Sequence, residues 1–170
     1  GTNGGYNPSV NATDFFASGI GIQKLVHPES RSSNWQRQVK FPYPVIRMAD
    51  LYLMKAEVLN EIKDQPDQEV WDAINIVRER AGIPNVEEVW SNSTLARTPN
   101  KHRDKAGMRE IILHERSVEF AFEGIHYWDM LRHKKAHIVF SVPIQGWNYK
   151  GTTPSTFFVL GVVQARRFTI

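Results

Sequence analysis

Glu115 and Glu119, within the segment Ile111 to Arg132, have the residue type and spacing that acid–base chemistry uses. Four residues apart on a helix, their carboxyl groups come within the range of a glycosidase pair. That chemistry needs an acid and a base on opposite sides of a sugar, which two carboxylates side by side on one helix rarely provide. Because Arg116 stands beside them, an ion-pair network is the preferred interpretation. A glycoside hydrolase using Glu115 and Glu119 is the alternative.

Two histidine patterns suggest metal sites, and neither is complete. Glu123 and His126 match the Glu-x-x-His element of di-iron helical bundles, which need two such elements and two further glutamates. His133 and His137 have the spacing of a helical zinc pair, without an obvious third ligand. The chain contains no cysteine, so thiolate ligands, disulfides and a cysteine nucleophile are excluded. We therefore expect neither a metal nor a cofactor.

Sequence motifs, net charge and the length of apolar runs argue against several further classes of function. The sequence contains no G-x-S-x-G, P-loop or dinucleotide fingerprint. A formal net charge of +3 over 170 residues, with short basic runs beside acidic neighbours, does not indicate a nucleic-acid partner. No apolar run approaches the roughly 18 residues of a membrane span, and the first residues do not resemble a signal peptide.

The carboxylates of the segment 111–132 need a helix to position them. At about 100° per residue, one side of that helix carries Glu115, Arg116, Glu119 and Glu123. Apolar residues flank this charged stripe on both sides, with Ile111, Val118 and Phe122 on one side and Leu113 and Phe120 on the other. A helix that is apolar nearly all round is buried, and buried charges require partners.

A second helix, expected from Val45 to about residue 62, has a matching pattern. It is apolar on most sides and carries one polar arc formed by Arg47, Asp50, Glu57 and Glu61. We expect the two helices to face each other and their charges to meet in one network. The predicted structural network comprises Arg47, Asp50, Glu57, Glu115, Arg116, Glu119 and Glu123.

The helix-capping and helix-breaking residues predict two helical hairpins in series over residues 45–136. The first turns at Pro66, where Asp67 caps a helix that ends before Gly82. The second starts at Asp104 and turns at Gly124. A loop-rich lead-in over residues 1–44 and an irregular tail over residues 137–170 complete the chain, with strands near 157–163 and 168–170. We therefore expect a mainly α fold of tetratricopeptide-like hairpins, a loop-rich remainder and one or two short strands, in a piece of a longer protein.

The aromatic residues fall into two groups by their context. Trp71 and Trp128 lie among apolar helical neighbours and are predicted to be core residues. Five rings are expected in polar loops with Asn, Gln and Thr nearby: Tyr6, Trp35, Trp90, Trp147 and Tyr149. All of them except Tyr6 are the candidate binding residues. A ring presented from a loop can stack on the apolar face of a sugar while amides and hydroxyls bind its edge. The alternative is that these rings pin their loops to the core.

Four motifs occur in a specific order along the chain. They are Arg47-x-Ala49-Asp50-x-x-Leu53-Met54-x-Ala56-Glu57, Asn75-x-Val77-Arg78-x-Arg80-Ala81-Gly82, Ile112-x-x-Glu115-Arg116-x-x-Glu119-Phe120-x-Phe122-Glu123-Gly124 and Trp128-Asp129-x-x-Arg132. This series, together with Gly146-Trp147-Asn148, resembles the C-terminal half of the SusD/RagB family, the glycan-binding lipoproteins of the bacterial outer membrane.

The resemblance implies a surface-exposed, non-catalytic protein that caps a SusC-like, TonB-dependent barrel transporter and passes oligosaccharides to it. It implies attachment to the outer membrane only through a lipid anchor that this chain lacks. The family's N-terminal half, with its lipid-anchored cysteine, and its closing Pro-Ile-Pro and Asn-Pro-Gly segments are missing from this sequence. Because the family's sugar site is variable and lies largely in loops, no binding residue is carried over. A helical-repeat scaffold that binds another protein is the remaining alternative.

Overall fold

A computed structural model describes residues 22, 24–30, 38–148 and 152–164 of the chain, with side chains as far as residue 161. The chain divides into two units, Pro44–Asp129 and the combination of Gly1–Tyr43 with Met130–Ile170. Among the described residues, no helix has the length and apolar character needed to cross a membrane.

The unit Pro44–Asp129 is built from helices. They are α1 (Met48–Ile62), α2 (Gln68–Arg80), α3 (Val86–Ser91), a 3₁₀ turn (Lys101–Arg103), α4 (Lys105–Glu119) and the first part of α5 (Ile125–Arg132). Helix α1 packs against both α2 and α4. The predicted mainly helical fold is therefore confirmed.

Capping residues set most of the helix ends that the sequence predicts. Asp67 accepts a hydrogen bond from the backbone N–H of Val70 at 3.4 Å. Asp104 does the same for Gly107 at 2.7 Å. Gly82 adopts a φ of 71° where the chain leaves α2, a conformation that glycine allows at low cost.

Three boundaries differ from those predicted. Helix α1 starts at Met48 rather than at Val45, because Arg47 is still extended. The segment 85–103 lies between the two predicted hairpins, where no helix was expected, and it contains α3 and the 3₁₀ turn. Helix α4 ends at Glu119, and the following turn holds Phe122 at a φ of 68° before Gly124 at 81°. The helix therefore ends before the glycine that was expected to interrupt it.

The core lies where α1, α2 and α4 meet. Its largest fully buried apolar side chains are Leu53, Val70, Ile74, Val86, Met108, Ile112 and Phe120. Trp71 packs against this core as predicted. Trp128 was also predicted to be a core residue, and this is wrong because α5 buries Asp129 and Met130 and leaves Trp128 67% exposed. The expected burial of Val118 and Phe122 is wrong as well, since both are exposed.

His102 is a buried imidazole at the edge of this core. Its ring centroid lies 5.2 Å from that of Trp71, whose indole N–H donates to the His102 carbonyl at 3.3 Å. The His102 Nδ1 atom is buried without a hydrogen-bond partner. Burial lowers the pKa of His102, the charge of Arg103 lowers it further, and Glu87 partly offsets both effects.

This lowered pKa predicts a pH-dependent stability. Between the ordinary histidine pKa near 6.5 and the lower folded value, the unfolded chain binds more protons than the native one, so stability falls as pH falls. We expect urea denaturation to show a smaller free energy of unfolding at pH 5 than at pH 7. His102→Gln is expected to flatten this slope, whereas His114→Gln, at an exposed position of α4, should keep it. An unchanged slope in His102→Gln would contradict the assignment.

The second unit contains a small antiparallel sheet. Strand β1 (Ile144–Trp147) pairs with β2 (Leu160–Gln164), and Trp147 lies opposite Leu160. Two short helices, α6 (Ala136–Val139) and α7 (Pro154–Phe157), belong to the same unit. Strand β2 overlaps the strand predicted near 157–163, β1 was not predicted, and the strand predicted at 168–170 lies outside the described residues.

Candidate functional site

Arg47, immediately before α1, binds the C-terminal end of α4 and the turn after it. Its Nη1 donates to the carboxylate of Glu119 at 2.8 Å. Its Nε and Nη2 donate to the two carboxylate oxygens of Glu123 at 3.0 and 2.8 Å. The bonds to Glu123 are the main reason that the pKa of Arg47 is raised. Arg47 thus joins two glutamates of the predicted network, and one of them, Glu123, lies beyond the end of α4.

Arg116 joins three helices through two further carboxylates. Its Nη1 donates to Asp50 of α1 and its Nε to Asp129 of α5, both at 2.8 Å. The side chains of Arg116 and Asp129 are only 5% and 4% exposed. Sequence reasoning missed Asp129, although it lies within the Trp-Asp-x-x-Arg motif. The sequence pattern that could have indicated Asp129 is a carboxylate flanked by apolar residues on a short helix.

Phe120 lies against the guanidinium groups of both arginines. The Cζ atoms of Arg47 and Arg116 are 5.0 and 5.3 Å from its ring centroid. Such cation–π contacts strengthen when water is excluded, and Phe120 is fully buried. The ring therefore connects the two ion-pair clusters.

Glu115 does not join the charged arc of α1, which corrects the single network expected from the sequence. It accepts a hydrogen bond from Arg78 of α2 at 2.7 Å, and Arg78 also donates to the carbonyl of Pro84 at 2.8 Å. One residue on a helix corresponds to a rotation of about 100°, so Glu115 and Arg116 face different neighbours.

The remaining acidic residues of the α1 arc lie near Arg109. Glu61 binds its guanidinium, with Nη2 and Oε2 2.7 Å apart, and this hydrogen bond lowers the pKa of Glu61. Glu57 is buried on the same helix, and its charge contributes to the raised pKa of Arg109. The expected network is therefore divided among several arginines, two of which, Arg78 and Arg109, were not predicted as members.

Substituting Glu115 tests whether this carboxylate is structural. Glu115→Gln leaves the Arg78 guanidinium largely buried against a neutral amide, and we expect the free energy of unfolding to fall by about 1–3 kcal/mol. Glu110→Gln is the control, because Glu110 is an exposed partner of Lys101 and surface pairs contribute about 0–1 kcal/mol. Urea denaturation followed by tryptophan fluorescence measures both. Loss of a measurable glycoside hydrolysis with unchanged stability would instead favour the hydrolase alternative.

The two described tryptophans among the candidate binding residues have different surroundings. Trp90 was expected in a loop, but it lies on α3 and packs against the core. The Lys101 Nζ atom lies 5.6 Å from the centroid of its ring. Its carbonyl accepts a hydrogen bond from the backbone N–H of Asn100 at 2.7 Å. This arrangement fits the alternative interpretation, in which a ring pins a connecting segment to the core.

Trp147 lies at the end of β1 and is 39% exposed. Phe158, also exposed, meets it edge to face with ring centroids 5.2 Å apart, and the buried Phe157 lies 6.1 Å away. The backbone N–H of Asn148 donates to the carbonyls of Phe157 and Val159, which holds the rings in place. Phe158 was not predicted, and the pattern that could have indicated it is a pair of phenylalanines after the Thr153–Thr156 capping box. Trp35 and Tyr149 lie outside the described residues.

The described residues contain no group of three or more histidine, aspartate or glutamate side chains arranged to hold a metal ion. Glu123, from the Glu-x-x-His pattern, binds Arg47.

The four sequence motifs supply one another's ion-pair partners. The third motif pairs with each of the other three. Its Glu119 binds Arg47 of the first motif. Its Glu115 binds Arg78 of the second, and its Arg116 binds Asp129 of the fourth. A family model described as the SusD family matches residues 2–168. The chain belongs to the SusD family.

Relatives of this SusD-family chain include two proteins of Formosa agariphila. SusD-like protein P38 is 35% identical over 102 residues, which cover 60% of this chain and 19% of that protein. SusD-like protein P25 is 36% identical over 112 residues, which cover 66% of this chain and 18% of that protein. A solved structure titled selenomethionine BT4246 matches with a TM-score of 0.68 and 28% identity, covering 95% of this chain and 26% of that one. The chain thus spans about a fifth of the length of the curated relatives it matches.

Proposed function

We propose that the full-length protein containing this SusD-family chain binds glycans at the bacterial cell surface without catalysing their hydrolysis. Membership of the SusD family supports this function. The glutamates at glycosidase spacing support a non-catalytic role, because Arg78 holds Glu115, while Arg47 and Arg80 hold Glu119.

The exposed Trp147 ring is the observation that carries the proposal within these residues. An aromatic face can stack on the apolar C–H face of a pyranose. An edge contact from Phe158 and a tilted contact from Phe157 fix the orientation of the indole, so binding a sugar costs less conformational entropy. Tyr149 is two residues further along the chain, and Trp35 is a further candidate, so both belong to the same proposal.

Calorimetric titration of the full-length protein with a panel of oligosaccharides tests this site. We expect Trp147→Ala to weaken binding by at least tenfold, which corresponds to about 1.4 kcal/mol. Trp128→Ala is the matched control, because it removes another exposed indole from a helix in the other unit, and it should leave the affinity unchanged.

Three outcomes would count against the proposal in different ways. Binding of peptides and of no glycan would overturn the ligand class. Release of shorter sugars from an oligosaccharide would overturn the non-catalytic role. If Trp128→Ala bound glycans more weakly while Trp147→Ala bound them with unchanged affinity, glycan binding would stand but the site would not lie at β1.

We also propose that the full-length protein is held on the outer membrane by a lipid anchor outside these residues. There it would deliver its oligosaccharide to a SusC-like, TonB-dependent barrel transporter. Co-purification of the native protein from outer membranes tests the partnership, with the barrel transporter expected in the same complex. Recovery without a transporter, or from another cell fraction, would contradict this part of the proposal.

A further inference from the structure

The formal net charge of the chain, +3, is divided very unevenly between its two units. The unit Pro44–Asp129 contains 11 of the 21 Lys and Arg residues and 16 of the 18 Asp and Glu residues, so its formal net charge is −5. The other unit, Gly1–Tyr43 with Met130–Ile170, contains ten basic residues and two acidic ones, a formal net charge of +8. The carboxylates of this second unit can therefore neutralise only a small part of its positive charge.

The basic residues of the second unit flank the strands that carry Trp147. Residues 130–170 contain six Lys and Arg residues and no Asp or Glu. Before β1, the side chains of Arg132 and Lys134 are exposed. The six residues are Arg132, Lys134 and Lys135 before β1, Lys150 between the strands, and Arg166 and Arg167 after β2.

The antiparallel pairing brings both flanks of the sheet to the same end. Ile144, the first residue of β1, pairs with Gln164, the last residue of β2. The chain therefore enters β1 and leaves β2 at one end of the sheet. Trp147 lies three residues along β1 from that end, about 10 Å at roughly 3.3 Å per residue. This distance is about one Debye length at 0.1 M salt, so charges near that end contribute to the binding of a charged ligand at Trp147.

The surroundings of Trp147 along the chain are themselves uncharged. The described residues 138–148 and 152–161 contain no charged side chain. The aromatic rings suit the apolar face of a sugar, whereas the cations of the flanking segments suit anionic groups attached to it. The ligand that fits both features is a sugar chain that carries negative charges.

We propose that the glycan bound at Trp147 is anionic and carries sulfate ester or uronate groups. This inference rests on the glycan binding proposed above. A positively charged unit raises the local concentration of an anionic ligand and its rate of association. Lys and Arg side chains also donate charge-assisted hydrogen bonds to carboxylates and similar oxyanions. A neutral glycan gains neither advantage.

Calorimetric titration of the full-length protein with matched pairs of oligosaccharides tests the charge of the ligand. One pair is an oligogalacturonate and its methyl ester, and the other is a sulfated galactan oligosaccharide and its desulfated form, so the pairs distinguish carboxylate from sulfate. We expect the charged member of at least one pair to bind at least tenfold more tightly, which corresponds to about 1.4 kcal/mol. Raising the salt from about 0.1 M to about 1 M should remove most of this difference, because the Debye length falls from about 10 Å to about 3 Å.

The possible results separate this inference from the proposed function. Equal affinities within both pairs, or binding of neutral glycans alone, would overturn the inference and leave glycan binding intact. Equally tight binding of a single-stranded oligonucleotide would also overturn it, because the unit would then attract any polyanion. Binding of no oligosaccharide would overturn the proposed function, and this inference with it.

Charge-reversal variants test whether the basic unit is responsible. Lys134 and Lys135 are both replaced by glutamate, and the matched control replaces Lys55 and Arg97 of the acidic unit, which changes the net charge by the same amount. We expect the first variant to weaken binding of the charged oligosaccharide by roughly fivefold or more, and the control to weaken it less. The affinity for the neutral counterpart should stay unchanged in both. Equal weakening by the two variants, or none by the first, would overturn the inference.

Discussion

Arg116→Met is expected to reduce the free energy of unfolding by about 3–5 kcal/mol, because it removes the buried guanidinium that binds both Asp50 and Asp129. Asp129 is nearly inaccessible to water, and Asp50 is only partly exposed. Methionine fills much of the arginine's space but donates no hydrogen bond. Both aspartates would lose their ion pair with this guanidinium, which destabilises the native state.

Arg80→Met is the matched control for this experiment. Arg80 binds Glu119 at 2.7 Å, but its own side chain is 56% exposed, and Arg47 remains on the same carboxylate. Loss of such a surface pair costs about 0–1 kcal/mol. Urea denaturation at neutral pH measures both variants. Similar losses for Arg80→Met and Arg116→Met would show that burial of the Arg116 pairs does not govern their contribution.

Phe120→Ala is expected to destabilise the protein by about 3–5 kcal/mol, the range for removing a buried aromatic ring. The ring is fully buried, and its loss opens a cavity beside the guanidinium groups of Arg47 and Arg116. The two cation–π contacts disappear with it, so the loss should lie towards the upper end of this range. Thermal and urea denaturation both measure the change.

Phe122→Ala, two residues later, provides the comparison. Phe122 is exposed and has a left-handed backbone that alanine adopts no more readily than phenylalanine. We therefore expect a change within about 0.5 kcal/mol. If Phe122→Ala matched Phe120→Ala, the turn after α4 would contribute to stability through contacts other than those of Phe120.

Local sequence signals predicted the long helices α1, α2 and α4 better than the short elements or the partners of the charged groups. Asp67 and Asp104 cap their helices because a short acceptor side chain reaches nearby backbone N–H groups, an interaction set within one turn. Arg47, Glu119 and Glu123 were placed in one network because both helices show a single charged stripe, and Arg47 binds both glutamates. Glu115 was placed with the wrong helix. Periodicity shows that residues share a side of a helix but not which neighbour covers each part of that side.

The aromatic residues show the same limit. Trp90 and Trp147 both occur in polar stretches, yet one packs against a core and the other is exposed at a strand end. Trp128 has apolar helical neighbours and is nevertheless exposed. Hydrophobicity sets the free energy gained by burial, whereas the packing of distant segments decides which rings are buried.

The sequence by itself determined the mainly helical fold, the helix caps, the family resemblance and the need to pair the charges of the segment 111–132. These follow from interactions within a few residues or from motif order along the chain. Only the tertiary structure decided that Glu115 pairs with Arg78, and that Arg116 joins Asp50 and Asp129. The physical reason is that a buried charge requires some partner of opposite sign, and long-range packing selects which one comes within hydrogen-bond distance.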